Sequence, residues 1–256
     1  MLSSNKIKLI NALKLKKGRA ENKLFIAEGP KVVTDLIVNN YDIMDLYATT
    51  PFLESYNDLL SEKRINITEV SEKELDRISG LTTANQVLAV CRIREHTIDF
   101  KEILSHWSFV LDGVNDPGNL GTIIRMAHWF NIKNIICSPE TVDVYNPKTV
   151  QSTMGSLAFV KTTYTDLAPF LKLLGKDLPV FGTFMSGQSI YDADFGKCGV
   201  IVFGSESHGI SKEVTQLLSQ RISIPSTNKT SCPDSLNVAV SAGIIAAELL
   251  RKGLLR

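Results

Sequence analysis

The chain has 256 residues, of which 44% are hydrophobic and 21% charged, too apolar for a disordered segment and long enough for one or two domains that each bury a core. Twenty-eight Lys and Arg against 27 Asp and Glu give a net charge of +1, which speaks against a uniformly basic nucleic-acid binder. That sum conceals a segregation: residues 1–27 hold seven basic side chains (Lys6, Lys8, Lys14, Lys16, Lys17, Arg19, Lys23) against Glu21 alone, leaving 21 basic and 26 acidic residues for the remainder.

In the N-terminal segment lysines interrupt every run of Ile and Leu, so no secretion signal is expected, and no apolar run in the chain reaches the roughly 18 residues of a membrane span. The segment is poor in acids, as an organellar transit peptide would be, but Arg19 is its only arginine, and a cytoplasmic location is expected. Beyond it, short β-branched runs alternate with helical stretches: Leu24 to Ala27 then a helix after Pro30, Asp45 to Ala48 then a helix after Pro51, Ile65 to Val70 then a helix from Ser71, and Val87 to Ile93. This predicts a first α/β domain over residues 1–93. Residues 94–107 (REHTIDFKEILSHW) break the rhythm with charge and are read as a short ordered linker.

The second domain, residues 108–256, is richer in continuous apolar runs: Phe109 to Leu111, Ile135 to Cys137, Val180 to Phe181, Val200 to Phe203 and Ile222 to Ile224. Such runs belong to strands buried on both faces of a parallel sheet. Helices are expected near 120–130, 147–156, 166–174, 211–220 and 236–252, with Ser211 capping the fourth and Arg251, Lys252 and Gly253 closing the last. No internal repeat or low-complexity tract is present. The cysteines (Cys91, Cys137, Cys198, Cys232) form no CxxC pair and have no His at a metal-ligand spacing, so they read as reduced thiols and no metal is expected.

Ligands of open parallel sheets bind where strands end, which singles out three loops. In LDGVNDPGNLGTIIRMA, residues 111–127, the glycines fit neither a dinucleotide fingerprint nor a phosphate loop. Asn115 to Gly118 can simply form a turn, with Asn119 opening the helix. Arg125, however, lies in an apolar helical run, where a guanidinium calls for an anion or a cleft. In VIVFGSESHGIS, residues 200–211, Gly204 permits close approach and Glu206 carries a carboxylate over the same sheet edge. His208 is either an acid–base group or, as preferred here, a determinant of loop conformation. In ISIPSTNKTSCPDSLNVAVSAGIIAAELL, residues 222–250, Ser235 can act as a helix cap with Ala239 to Ala247 as core.

Together, NDPGNLGTIIRMA, VFGSESHGIS and ISIP followed by SLNVAVSAGI resemble the three motifs of the SpoU/TrmH family of RNA ribose 2′-O-methyltransferases, over residues from about 107 to 252. KGRAENKLFIAEGPKVVTDLI and TTANQVLAV resemble the substrate-binding domain that precedes many of these catalytic domains, a ribosomal-protein-like α/β fold. The resemblance implies a C-terminal α/β domain with a deep trefoil knot, S-adenosyl-L-methionine as methyl donor, a homodimer, and structured RNA as substrate, with the added N-terminal domain favouring ribosomal over transfer RNA. Residue by residue, it implies catalytic roles for Asn119, Arg125, Glu206, Ser235 and Asn237, and methyl-donor contacts from Thr183, Gly204, Ile224 and Leu236. An arginine is not normally deprotonated, so Arg125 is read as gripping the adjacent phosphate and the cofactor carboxylate and stabilising the developing alkoxide, with the family's proposal of Arg as base left open. The ten residues STNKTSCPDS between Pro225 and Leu236 depart from the family pattern: they are longer than its usual loop, lack Gly and set Asp234 beside Ser235. That departure is the one feature favouring an inactive RNA-binding relative; a dinucleotide-dependent oxidoreductase would need a GxGxxG that is missing.

Overall fold

The computed structural model describes residues 2–83, 85–176, 178–228 and 235–255; Cys232 and Asp234 lie outside them. The chain divides into two compact units, residues 1–94 with 143–158, and residues 95–142 with 159–256.

The first unit is built on a four-stranded sheet of β1 (Leu24–Glu28), β2 (Ile43–Ala48), β3 (Asn66–Glu69) and β4 (Val87–Arg92), in the order β1-β4-β2-β3. β4 runs antiparallel to both β1 and β2, and β2 runs parallel to β3. The basic N-terminal segment folds into two helices, Ser4–Leu13 and Lys16–Asn22. Ser3 caps the first by accepting from the Lys6 amide, while Ile10 and Leu13 pack against Ile26, Leu88 and Val90 of the sheet. Arg19 is 3% exposed. Its Nε and Nη2 donate to Asp143 Oδ2 at 2.9 and 2.6 Å, and its Nη1 donates to the carbonyls of Leu13 and Lys14, both at 3.0 Å. Asp143 opens a segment that carries the helix Pro147–Thr153 and sets Tyr145 against Phe25, ring centroids 4.7 Å apart. Arg19 is thus a structural side chain, and the basic segment is not one free patch. Lys14 donates to the Ser79 carbonyl at 2.7 Å, Lys6 pairs with Asp45 at 3.4 Å and Lys17 with Glu21 at 3.8 Å.

The second unit is built on six parallel strands, β5 (Ser108–Asp112), β6 (Asn134–Cys137), β7 (Lys161–Tyr164), β8 (Val180–Ser189), β9 (Val200–Gly204) and β10 (Gln220–Ser223), in the order β10-β8-β9-β5-β6-β7. The chain starts at β5, moves outward through β6 and β7, and returns to the other side of β5, so the order reverses between β5 and β9. Such a switch point leaves a crevice at the strand ends. β7 and the outer half of β8 were not anticipated from the sequence: KTTY is a polar edge strand and TFMSGQS faces solvent, so neither shows the apolar run of a buried strand. The helix expected over 211–220 is shorter, Lys212–Thr215, although Ser211 caps it as expected, its Oγ accepting from the Val214 amide. Two start points also differ. The helix Pro117–Trp129 begins at Pro117 under an Asp116 cap, not at Asn119. The helix Val238–Arg251 is capped by Asn237 and not by Ser235, because the Asn237 amide oxygen takes the Ala239 and Val240 N–H groups.

Among the described residues no helix is long and apolar enough to cross a membrane. Cys91 and Cys137 are free and buried, and burial pushes both thiols up.

Candidate active site

Three loops of the second unit converge at the carboxyl ends of β9 and β10, each shaped by local chemistry. After β5, Gly113 takes φ +76°, a left-handed turn that a side chain would strain, and its amide donates to Ser138 Oγ at 3.0 Å. Asp116 Oδ1 then accepts from the Asn119 amide at 2.8 Å and fixes the first turn of the helix. After β9, a tight turn is closed by Ser205 N to Gly209 O at 3.1 Å and Gly209 N to Ser205 O at 2.9 Å. Gly204 is required there, since a Cβ would fall on the Gly209–Ile210 backbone. Glu206 sits in this turn. His208 donates its amide to Ser205 Oγ at 3.1 Å and bonds Ser207 Oγ through Nδ1 at 2.7 Å, contacts that shape the loop.

The three loops are tied by one polar chain. Asn237 Oδ1 accepts from the amides of Ala239 and Val240 at 2.9 and 3.2 Å. Asn237 Nδ2 donates to Asn119 Oδ1 at 2.9 Å, and Asn119 Nδ2 donates to Glu206 Oε1 at 2.6 Å. Residues 87 and 118 positions apart from Asn119 are thereby joined through a single amide.

Beside this chain lies a cavity of about 690 Å³, within the range of roughly 300–1,000 Å³ of small-molecule sites. Thr183, Gly204, Ile224, Leu236, Ser235, Asn237 and Glu206 all line it. Asn119 meets it through its two partners. Arg125 does not line it: the side chain is exposed and makes no hydrogen bond or ion pair among the described residues. The outer half of β8 supplies wall residues missed in the sequence, Phe184 and Met185, with the Arg221 guanidinium 4.7 Å from the Phe184 ring centroid. Ser241 and Ile245 of the last helix line it too; they follow the motif by one and two turns, the helical spacing that could have found them. The apolar lining residues (Phe203, Ile222, Ile245) and the polar ones (Thr183, Ser226, Asn237, Glu206) suit a ligand with a flat heteroaromatic end and a polar, charged end, as S-adenosylmethionine has. Of STNKTSCPDS, residues 229–234 lie outside the described residues, while Ser226, Thr227, Asn228 and Ser235 line the cavity.

A second cavity of about 630 Å³ lies across the same turn, with His208, Asp112, Glu140, Asp166 and Glu213 on its walls. Among the described residues no group of three or more His, Cys, Asp or Glu could hold a metal ion.

Residues 106–247 match the SpoU rRNA methylase family, and residues 4–89 match the MRM3-like substrate-binding domain. Among solved structures, an RNA methyltransferase of the TrmH family from Porphyromonas gingivalis is 34% identical, covers 98% of this chain and 99% of its own, and superposes with a TM-score of 0.88. An AdoMet-bound rRNA methyltransferase from Sinorhizobium meliloti is 29% identical over 98% of this chain and 96% of its own, with a TM-score of 0.85. Among characterised relatives, the 23S rRNA (guanosine(2553)-2′-O)-methyltransferase RlmP of Bacillus subtilis is 25% identical across 96% of both chains. With its parallel sheet, its three converging loops and a family match over more than half its length, the chain belongs to the SpoU rRNA methylase family.

Proposed function

We propose that the protein methylates a ribose 2′-hydroxyl of ribosomal RNA, with S-adenosylmethionine as donor. The observation that carries this reading is the cavity at the β9 and β10 ends, bordered by the chain Asn237–Asn119–Glu206. S-adenosylmethionine supplies an electrophilic methyl on sulfonium, so the protein's tasks are to hold the hydroxyl in line and to manage its proton. Thr183, Gly204, Ile224 and Leu236 form the donor pocket, and Ser235, Asn237, Asn119 and Glu206 border the reacting side. Arg125, six residues beyond Asn119, exposed and without a partner among the described residues, is placed to grip an RNA phosphate next to the target ribose. Residues 1–93 act as the RNA substrate-binding domain and 108–256 as the catalytic domain, joined by 94–107, the match over residues 4–89 supporting the first of these.

The reading includes a homodimer. Val240 is 52% exposed, and with Ile244 and Ala247 it forms an apolar stripe along the last helix, one that starts beside Asn237 and suits a second copy of the chain. It also includes the deep knot around β10 and the last helix, and action in the cytoplasm. The test is incubation of the protein with labelled S-adenosylmethionine and either ribosomal or transfer RNA. Transfer to ribosomal RNA, mapped to one ribose, is expected. Transfer to transfer RNA alone would move the substrate, and no transfer together with no donor-induced rise in Tm would leave the inactive-relative reading standing.

A further inference from the structure

The first unit is not one stretch of chain: residues 143–158 belong to it, although in sequence they join β6 to β7 of the second unit's sheet. This crossover piece is fastened at three points. Arg19 bonds Asp143. Tyr145 Oη donates to the Arg94 carbonyl at 2.7 Å and accepts from the Arg94 amide at 3.1 Å. Gly155, at φ +88°, comes so close to the helix Pro30–Val38 that a Cβ there would fall on the Asp35 carboxylate. Held at both ends and in the middle, the piece is part of the first unit's surface.

Its helix, Pro147–Thr153, buries Thr149, Val150 and Thr153 and leaves Lys148, Gln151 and Ser152 less covered. Those three are spaced three and four residues from Lys148 and so share one face. That face meets the turn after β1. A Cβ on Gly29, which has φ +89°, would stand 3.2 Å from Asn85 Nδ2 and 3.9 Å from Gln151 Nε2. Three separate parts of the sequence thus converge on a bare glycine: the turn after β1, the TTANQ stretch before β4, and the crossover helix. Neither the Asn85 nor the Gln151 side-chain amide has a hydrogen-bond partner among the described residues. Lys31 and Asp35 cancel each other through bonds of 2.7 Å to both carboxylate oxygens, and Lys148 adds a positive charge one helical turn before Gln151.

The chemistry of this edge fits nucleic acid. A side-chain amide offers a donor and an acceptor together and matches a base edge, a glycine lets a sugar–phosphate backbone come close, and a lysine meets phosphate. A protein partner would call for an aromatic or aliphatic anchor, and the groups gathered around Gly29 are amides and a lysine.

We infer that the helix Pro147–Thr153, lent to the first unit by the catalytic half of the chain, is part of the RNA-contacting surface, with Asn85 and Gln151 meeting unpaired base edges beside Gly29 and Lys148 meeting a phosphate. This rests on the proposed function, because the RNA is the one whose ribose is methylated. The helix is covalently continuous with β6 and β7, so RNA held there is held by chain that leads straight into the catalytic sheet.

The test uses the full-length protein and ribosomal RNA that the wild type methylates. Asn85→Ala and Gln151→Ala should each raise the RNA dissociation constant, measured by filter binding, about three- to tenfold, the scale of one or two neutral hydrogen bonds. KM for RNA should rise with it, while kcat, Tm and the dissociation constant for S-adenosylmethionine stay as in the wild type. Gln151→Glu, equal in size but negative, should bind RNA more weakly than Gln151→Ala. Lys148→Ala should flatten the salt dependence of binding by about one unit of slope, which the two alanine variants of the amides leave unchanged. A merely structural role would produce neither the KM-against-kcat split nor the difference in slope. RNA binding equal to wild type in Asn85→Ala, Gln151→Ala and Lys148→Ala overturns the inference, and so does a loss that tracks a fall in Tm and is the same for Gln151→Ala and Gln151→Glu. A wild type that methylates no RNA defeats the proposed function and this inference with it, a result distinct from an active wild type whose variants bind as well as it does.

Discussion

Two arginines, one in each unit, put the same guanidinium to opposite uses. Arg19 is buried in the first unit with its donors taken by Asp143 and two backbone carbonyls, whereas Arg125 is exposed on the helix Pro117–Trp129 with none of its donors taken by the described residues. A buried charge persists only if its hydrogen bonds are met inside the fold; an exposed guanidinium needs no such partner and keeps its fork for a ligand. The comparison separates polar groups that hold the architecture from those kept for chemistry. By the same criterion, Glu206, with one oxygen held by Asn119 and the other without a partner among the described residues, belongs mostly to the second class.

The comparison can be broken at either arginine. Arg125→Ala should lower methyl transfer by about 100- to 1,000-fold, the scale of removing one donor from a developing negative charge, while Tm stays where it was. A fall in Tm would assign Arg125 to the architecture after all. Arg19→Ala should do the reverse, costing about 3 kcal/mol of stability because it leaves Asp143 beside a vacated, partly buried site. Urea denaturation would measure it, and a loss below about 1 kcal/mol would show that the pair is dispensable.

A finer cut is available at Asn237, which both caps a helix and orients Asn119. Asn237→Asp keeps the capping oxygen but cannot donate to Asn119, so stability should hold while the rate falls about tenfold, the scale of losing one neutral hydrogen bond. Asn237→Ala should lose the rate and about 1 kcal/mol of stability as well. Equal stability in the two variants would mean that the cap contributes little. The smallest effect concerns the basic segment. Lys8 and Lys16 are exposed, and Lys17 holds only a surface pair with Glu21. Replacing all three with Ala should weaken RNA binding several-fold and flatten its salt dependence by about one unit of slope for each lost phosphate contact. An unchanged slope would make these lysines a solvated helix face.

The chemistry of the loops was legible because it is local. Gly204 and the cap at Ser211 are written in short runs of residue types that tolerate few backbone conformations, and the structure has them as read, while Ser71, read only as a helix start, proves to be a cap. The buried strands were legible as apolar runs, since a strand covered on both faces has no polar position to offer. Where those signals fade, the reading stopped: β7 and the outer part of β8 are polar because they lie at an edge or a cavity mouth. Ser235 and Asn237 are both good caps two residues apart, and the choice between them fell to the side chain that also reaches Asn119.

By itself, then, the sequence determined the helices and the buried strands, the parallel sheet and the three loops that follow its strands, all of which follow from periodicity and turn chemistry over a dozen residues. The tertiary structure alone decided which polar groups are satisfied. Arg19 counts as a free positive charge until Asp143, 124 positions away, closes on it, and Glu206 is one acid among 27 acidic residues until Asn119 bonds it and the cavity leaves it as the ionisable group on its described wall. A side chain's role depends on which of its hydrogen bonds the fold has already filled, and those partners are brought together by packing from positions far apart in the chain.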